Sequence, residues 1–299
     1  MPISPLLRQS LLFALLCLIW GSIWIALKAG AMAMPPGFFS GARGAMAGVI
    51  LLIFRRLRGH VVTVPWHAVP RLCAVAFLMI GCNALLLLYG LRHVGSGLAA
   101  IIEAALTPLS LVVFAVLLRQ EQAGAWLFGA LALGIGGIML LFGPTALSAQ
   151  HDAMELIGGF GVILSCFSYA AGTVLARPLT RSLPPAQVAA MTSLFGGLLL
   201  LAICLPLEPG AWQALDLRWG TAAWAAWLYL VFFGSLGATV IYFVLVRDWG
   251  ASRVGTYAFV TPVIAVLLGV LVYDEQLRAT DIAGMVLLLG AALLVLRRR

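Results

Sequence analysis

Two charged side chains lie inside long apolar runs of this sequence: Arg43 in FFSGARGAMAGVILLIF and Glu103 in GLAAIIEAALTPLSLVVF. A charge at the centre of a bilayer is costly unless it faces the interior of a helix bundle and finds a partner there. Both residues are therefore candidates for chemistry. Glu103, Thr107 and Ser110 share one helix face with Ser96 and Ala100 by i, i+3, i+4 spacing, a polar stripe that should face a cavity. Three roles fit Arg43 and Glu103: a structural ion pair, contacts to a substrate or coupling ion, and separate charges reaching water. Aromatic residues form a second candidate surface. Phe13, Cys17, Trp20, Trp24 and Lys28 follow helical spacing in one run, and Ser235, Thr239 and Tyr242 in another. A pocket wall of Trp20, Trp24, Tyr242 and Tyr257 would suit flat apolar groups or organic cations. Asn83 is a further hydrogen-bonding candidate, although small polar residues in membrane helices often only bridge helices.

Other chemistries find no footing. Cys17, Cys73, Cys82, Cys166 and Cys204 all sit in apolar segments without a CxxC or a Cys/His cluster, which reads as packing, with no metal and no disulfide. The four histidines, His60, His67, His93 and His151, fall in loops or at the ends of apolar runs, so an intramembrane enzyme is the weakest reading. No GxxxxGK[ST] is present, so the chain does not hydrolyse ATP, and no cofactor is expected.

The elements that must carry these residues follow from composition. With 63% hydrophobic and 9% charged residues, the chain has too little polar surface to cover a soluble fold, and the missing solvent is lipid. The basic excess falls between apolar runs, which assigns it to the membrane surface rather than to nucleic acid. Breaks at charges, Pro pairs and Gly-rich stretches give ten candidate helices: 10–28, 37–54, 71–90, 94–118, 124–143, 156–177, 186–206, 219–246, 254–273 and 279–296. With a cytoplasmic N-terminus, the inner segments hold Arg8, Arg55, Arg56, Arg58, Arg71, Arg119, Arg177, Arg181, Arg247, Arg253 and Arg297 to Arg299, which are 13 of the 18 basic residues. Both termini are then cytoplasmic. At a rise of about 1.5 Å per residue, Glu103 lies roughly 14 Å and Arg43 about 9 Å from the outer ends of their helices. Lys28 and Arg177 should snorkel to the headgroups. Trp66, Trp212 and Trp219 read as interfacial anchors.

The chain also repeats itself. Trp20-Gly21 with Lys28 recurs as Tyr169-Ala170 with Arg177, and Pro35-Pro36 as Pro184-Pro185, at an offset of 149. Thr107-Pro108 recurs as Thr261-Pro262, and Glu121-Gln122 as Glu275-Gln276, at an offset of 154. Four matches in order divide the chain into two five-helix halves, residues 1–150 and 151–299. Five is odd, so the second half enters the membrane from the opposite side, and a site between inverted halves can face either side in turn. Pro108 and Pro262 would bend the fourth and ninth helices at equivalent places. The symmetry is broken where Arg43 faces Thr192 and Glu103 faces Tyr257. Small residues at four-residue spacing, Ala130 and Gly134 and again Ala279 and Ala283, suit close helix packing or a dimer seam.

The aromatic-small pair with a basic residue eight positions on, the Pro-rich start of the second helix, the Thr-Pro of the fourth and the acidic residue before the fifth resemble, in both halves, the EamA-type members of the drug/metabolite transporter superfamily. The resemblance covers nearly the whole chain, with Tyr169 in place of the more usual Trp. It implies an all-α, ten-helix membrane protein that exports small metabolites across a bacterial inner membrane, and the group includes amino-acid exporters. The expected partners are a small-molecule substrate and the lipid bilayer, as a monomer or homodimer. Two fixed intramembrane charges suffice for one carboxylate and one ammonium but not for a polyanion, so the expected solute is a small neutral amino acid with a bulky apolar or aromatic side chain. A multidrug exporter of lipophilic cations is the alternative, and a channel is the less favoured reading.

Overall fold

The computed structural model describes residues 4–91, 93–94, 96–122, 124–147, 153–273 and 279–297. Ten helical spans run through them, and among the described residues there is no strand. Spans 1 and 2 are Pro5–Ala33 and Pro36–Leu57. Span 3 passes from Val69–Ala76 through a π-helical stretch, Phe77–Cys82, into Asn83–Leu91. Spans 4 to 7 are Ser96–Leu117, Ala125–Leu147, Ala153–Ser182 and Pro185–Leu207. Span 8 repeats the interruption of span 3: Thr221–Tyr229, a π-helical Leu230–Ala238, then Thr239–Trp249. A short helix, Ala251–Val254, precedes span 9, Tyr257–Tyr273, and span 10 is Ala279–Arg297. Seven spans are long and apolar enough to cross a bilayer within the described residues, and the shorter apolar stretches Ile102–Leu117, Ala125–Leu140 and Ile282–Arg297 complete the ten.

Local sequence explains where the spans begin. Spans 2 and 7 each start on a Pro pair, whose second ring sits at the first helical position, where no amide donor is lost. The exposed amides of span 2 are satisfied from afar: Gly37 N and Phe38 N donate to the Glu208 carboxylate at 3.0 and 2.8 Å. Spans 2 and 7 then cross in close contact. A Cβ on Gly197 would stand 2.3 Å from Ala45 N, so only glycine allows that approach.

The packing is reciprocal. Span 2 lies most extensively on span 7, and span 5 on span 10. Span 4 packs on span 6 as span 9 packs on span 1, and span 3 meets spans 6 and 7 as span 8 meets spans 1 and 2. Exchanging the first five spans for the second five maps each of these pairings onto its counterpart. The small residues of span 5 serve its contact with spans 9 and 10, since Gly134 lies against the Phe259 ring and Gly137 against Gly284 O. Ala279 and Ala283 are exposed. The largest apolar cluster joins Leu16, Leu72, Val188, Leu245 and Val254.

Two expectations need correction. Arg177 does not reach freely toward headgroups: its Nη1 pairs with Glu121 at 3.4 Å and donates to Gln120 O at 3.3 Å. The partner follows span 4, far off in sequence but adjacent in space, so the arginine ties spans 4 and 6 together. Trp219 is not an open anchor like Trp66 and Trp212, which are 88% and 62% exposed. It stacks on Trp224 at 4.2 Å, meets Phe38 and Trp227 edge-on, and donates its indole N–H to Ala214 O. Pro108 and Pro262 both lie inside helices, as their spacing predicts.

Candidate functional site

The middle of the bundle holds an aromatic cluster built from four spans. Trp20 of span 1 meets Tyr257 of span 9 edge-on at 4.5 Å and Tyr242 of span 8 at 5.1 Å. Tyr242 lies 6.0 Å from both Tyr257 and Tyr169 of span 6. Offset and edge-to-face contacts at these distances hold rings in fixed orientations. Tyr242 is only 1% exposed and its hydroxyl shares a 3.0 Å hydrogen bond with Thr173, so it braces the cluster from behind. Trp20, Tyr169 and Tyr257 keep partial exposure and form the open face.

Glu103 stands beside this face. It is partly exposed, and its carboxyl interacts electrostatically with Tyr169, Tyr257 and the Cys166 thiol. Those three residues come from spans 6 and 9, inside the bundle, so Glu103 points inward. Thr107, one turn further along span 4, is buried and interacts with Cys166 as well. The side chains of Ser96 and Ala100 lie outside the described residues.

Arg43 occupies a different place. Span 2 packs on the π-helical stretch of span 8, and Arg43 Nη1 comes within 3.8 Å of where a Cβ on Gly234 would stand. Ile23 of span 1 touches the same point, one turn above Trp20. Arg43 Nε is buried without a hydrogen-bond partner, and no ion pair joins Arg43 to Glu103 among the described residues. The structural ion pair is thus absent from this conformation. The two charges stand apart, one pole between spans 2 and 8 and the other among spans 4, 6 and 9.

The remaining candidates have local partners. Asn83 Nδ2 donates to Ser165 O at 3.0 Å, bridging spans 3 and 6. Thr239 Oγ1 donates to Gly234 O at 3.2 Å, a bond across the widened turn of span 8, and Ser235 is buried in the same turn. The side chain of Trp24 lies outside the described residues, as does that of Lys28. Among the described residues no cluster of His, Cys, Asp or Glu could hold a metal.

Tyr169 is a candidate that the sequence supplies, but sequence reasoning missed its neighbours. Cys166 and Thr173 fall on the same face of span 6 as Tyr169, at spacings of three and four, a signal that was available from periodicity alone. Treating the cysteines only as packing residues hid it. The π-helical stretches at Phe77–Cys82 and Leu230–Ala238 were also missed, although such turns often mark functional positions.

The profile described as the EamA-like transporter family matches the chain twice, over residues 8–143 and 156–297. The chain is 29% identical to the "Uncharacterized inner membrane transporter YedA" of Escherichia coli, over 95% of this chain and 89% of that one. It is 26% identical to the "Uncharacterized transporter sll0355" of Synechocystis, over 94% and 87%. A solved crystal structure with 19% identity superposes with a TM-score of 0.81 over 96% of both chains, a likeness of fold.

Proposed function

The chain belongs to the EamA-like transporter family, and on that premise we propose that it is a secondary transporter exporting small neutral amino acids with bulky apolar or aromatic side chains, or related metabolites. Export would cross a bacterial inner membrane by alternating access. The observation that carries the reading is the partly open face of Trp20, Tyr169 and Tyr257 with one inward carboxylate, Glu103, against it. Rings reward a flat apolar side chain by about 0.5–1.5 kcal/mol per contact, and a carboxylate holds an ammonium. Arg43, with no acidic partner among the described residues, offers the complementary pole for a carboxylate.

The reciprocal packing of the two halves supports alternating access. Each half meets the other through equivalent spans, so one bundle can rock on the other about a central site. The basic residues concentrate on the N-terminal side, which favours a cytoplasmic N-terminus. A second reading, export of lipophilic cations, is favoured by one feature: the rings adjoin Glu103, and Arg43 stands apart.

Proteoliposomes loaded with labelled solutes, with and without an imposed pH gradient, test both. Phe, Leu and Met should move faster than Asp, Lys or a nucleotide. Fast flux of lipophilic cations with none of the zwitterions would select the second reading, and fast flux of a phosphorylated solute would overturn the assignment.

A further inference from the structure

The inverted halves differ sharply at the starts of spans 2 and 7. The first amides of span 2, Gly37 and Phe38, donate to the Glu208 carboxylate at 3.0 and 2.8 Å. At the repeat offset of 149, the corresponding residues of span 7 are Ala186 and Gln187, and Gly59 stands where Glu208 does. No acidic side chain bonds to this second helix start among the described residues. Gln187 N turns instead to Pro184 O at 2.8 Å. Where the first site has Cys204 beside Gly37, the second has Arg55 beside Gln187.

A cavity of about 420 Å³ opens at this place, lined by Arg55, His60, Val61, Leu183, Pro184 and Gln187 among others, with no acidic residue in its wall. Arg55 is only 8% exposed and poorly satisfied. Its Nη2 reaches Val61 O and the Gln187 side-chain oxygen at 3.5 and 3.4 Å, both long, and its Nε is buried without a partner. Gln187 is braced in turn by donating to Thr63 O at 2.9 Å, which fixes the wall. The site thus combines a buried guanidinium lacking a counter-charge, a helix start lacking its carboxylate, and an open volume between them. Helix starts and guanidinium groups both favour phosphate.

We propose that this cavity binds a phosphate group, which takes the place at span 7 that the Glu208 carboxylate holds at span 2. The charge bias sets this end of the bundle at the cytoplasmic surface, where the group can come from an anionic phospholipid headgroup or from a soluble phosphate. The site is independent of the transport pathway and of the solute carried.

Purified protein in neutral detergent separates the sources. Thermal denaturation in inorganic phosphate against chloride at matched ionic strength reads the soluble arm, and native mass spectrometry of retained phosphatidylglycerol reads the lipid arm. At least one arm should show binding, and Arg55→Gln should weaken it about tenfold or more, the effect of losing charge-assisted hydrogen bonds. Arg56→Gln, at an exposed neighbour, should stay within about twofold. Binding by inorganic phosphate alone assigns a soluble ligand, and retention of phosphatidylglycerol alone assigns the headgroup. No preference in either arm, or equal losses in the two variants, overturns the proposal. If Arg55→Gln does not fold, Gly59→Asp gives a second test. Gly59 has φ +73°, which Asp tolerates better than most residues, and nothing lies within 4 Å of a Cβ there. The restored carboxylate should abolish the phosphate or lipid preference, and full retention of that preference overturns the proposal.

Discussion

The two halves of the bundle share a scaffold and differ in what they do with it. At the equivalent of Arg43 the second half has Thr192, whose hydroxyl is spent on Val188 O of its own helix. Opposite Glu103 in the repeat stands Tyr257, whose ring closes on Trp20. At these two positions the second half carries neutral side chains, and the first half leaves two charges without an ion-pair partner among the described residues. The spans and crossings of the two halves match, as their reciprocal packing requires. Divergence at a few inward positions supplied the capacity to hold something else.

The widest expected gap between the halves is at Glu103 and Tyr257. Removing the carboxylate in Glu103→Gln should lower transport of a neutral amino acid about tenfold or more, the loss of one charged hydrogen-bonding partner. Tyr257→Phe keeps the ring against Trp20 and should cost under about threefold. Because Arg43 and Glu103 do not touch, Arg43→Gln should lower transport by a factor that multiplies with that of Glu103→Gln in the double variant. Initial rates in proteoliposomes measure all three. Equal losses at Glu103 and Tyr257 would erase the functional difference between the halves, and a double variant no worse than either single would restore the ion pair.

Most of the fold was legible because lipid imposes its own grammar. Apolar runs of about 20 residues broken by charges mark spans whatever the side chains do inside, and the ten expected helices are all present. Side-chain partners were less legible, since hydropathy gives depth along a helix but not direction around it. Arg43 and Glu103 are expected at similar depth, yet the structure sets Arg43 against span 8 and Glu103 near spans 6 and 9. Arg177 was misread for the same reason, its partner Glu121 being invisible until spans 4 and 6 are placed side by side. The π-helical stretches left only a faint trace: Gly81 and Gly234, 153 residues apart, each sit in one.

A smaller difference separates Trp20 from its counterpart Tyr169. Trp20 meets two rings, on spans 8 and 9, and among the described residues Tyr169 has one ring contact, to Tyr242. Trp20→Ala should raise KM for Phe about two- to tenfold, the worth of one or two ring contacts, and should raise KM for Leu less. Tyr169→Phe should leave the preference for Phe over Leu unchanged. A preference for Phe that survives Trp20→Ala would move the aromatic recognition elsewhere in the bundle.

The smallest expected effect tests the unlike helix starts of spans 2 and 7. Glu208 accepts two amide hydrogen bonds at the positive end of span 2, where a carboxylate favours both the unsatisfied donors and the helix dipole. Glu208→Gln keeps the size and one acceptor oxygen but removes the charge, so it should destabilise the protein by about 1 kcal/mol. The midpoint of thermal unfolding should fall by a few degrees in low salt, and by less in high salt, since the dipole contribution is screened. Transport should be unchanged, because Glu208 lies at the end of span 7, away from Trp20, Glu103 and Arg43. A loss of transport without a loss of stability would mean that the start of span 2 moves during the cycle and that Glu208 holds it in one of two positions.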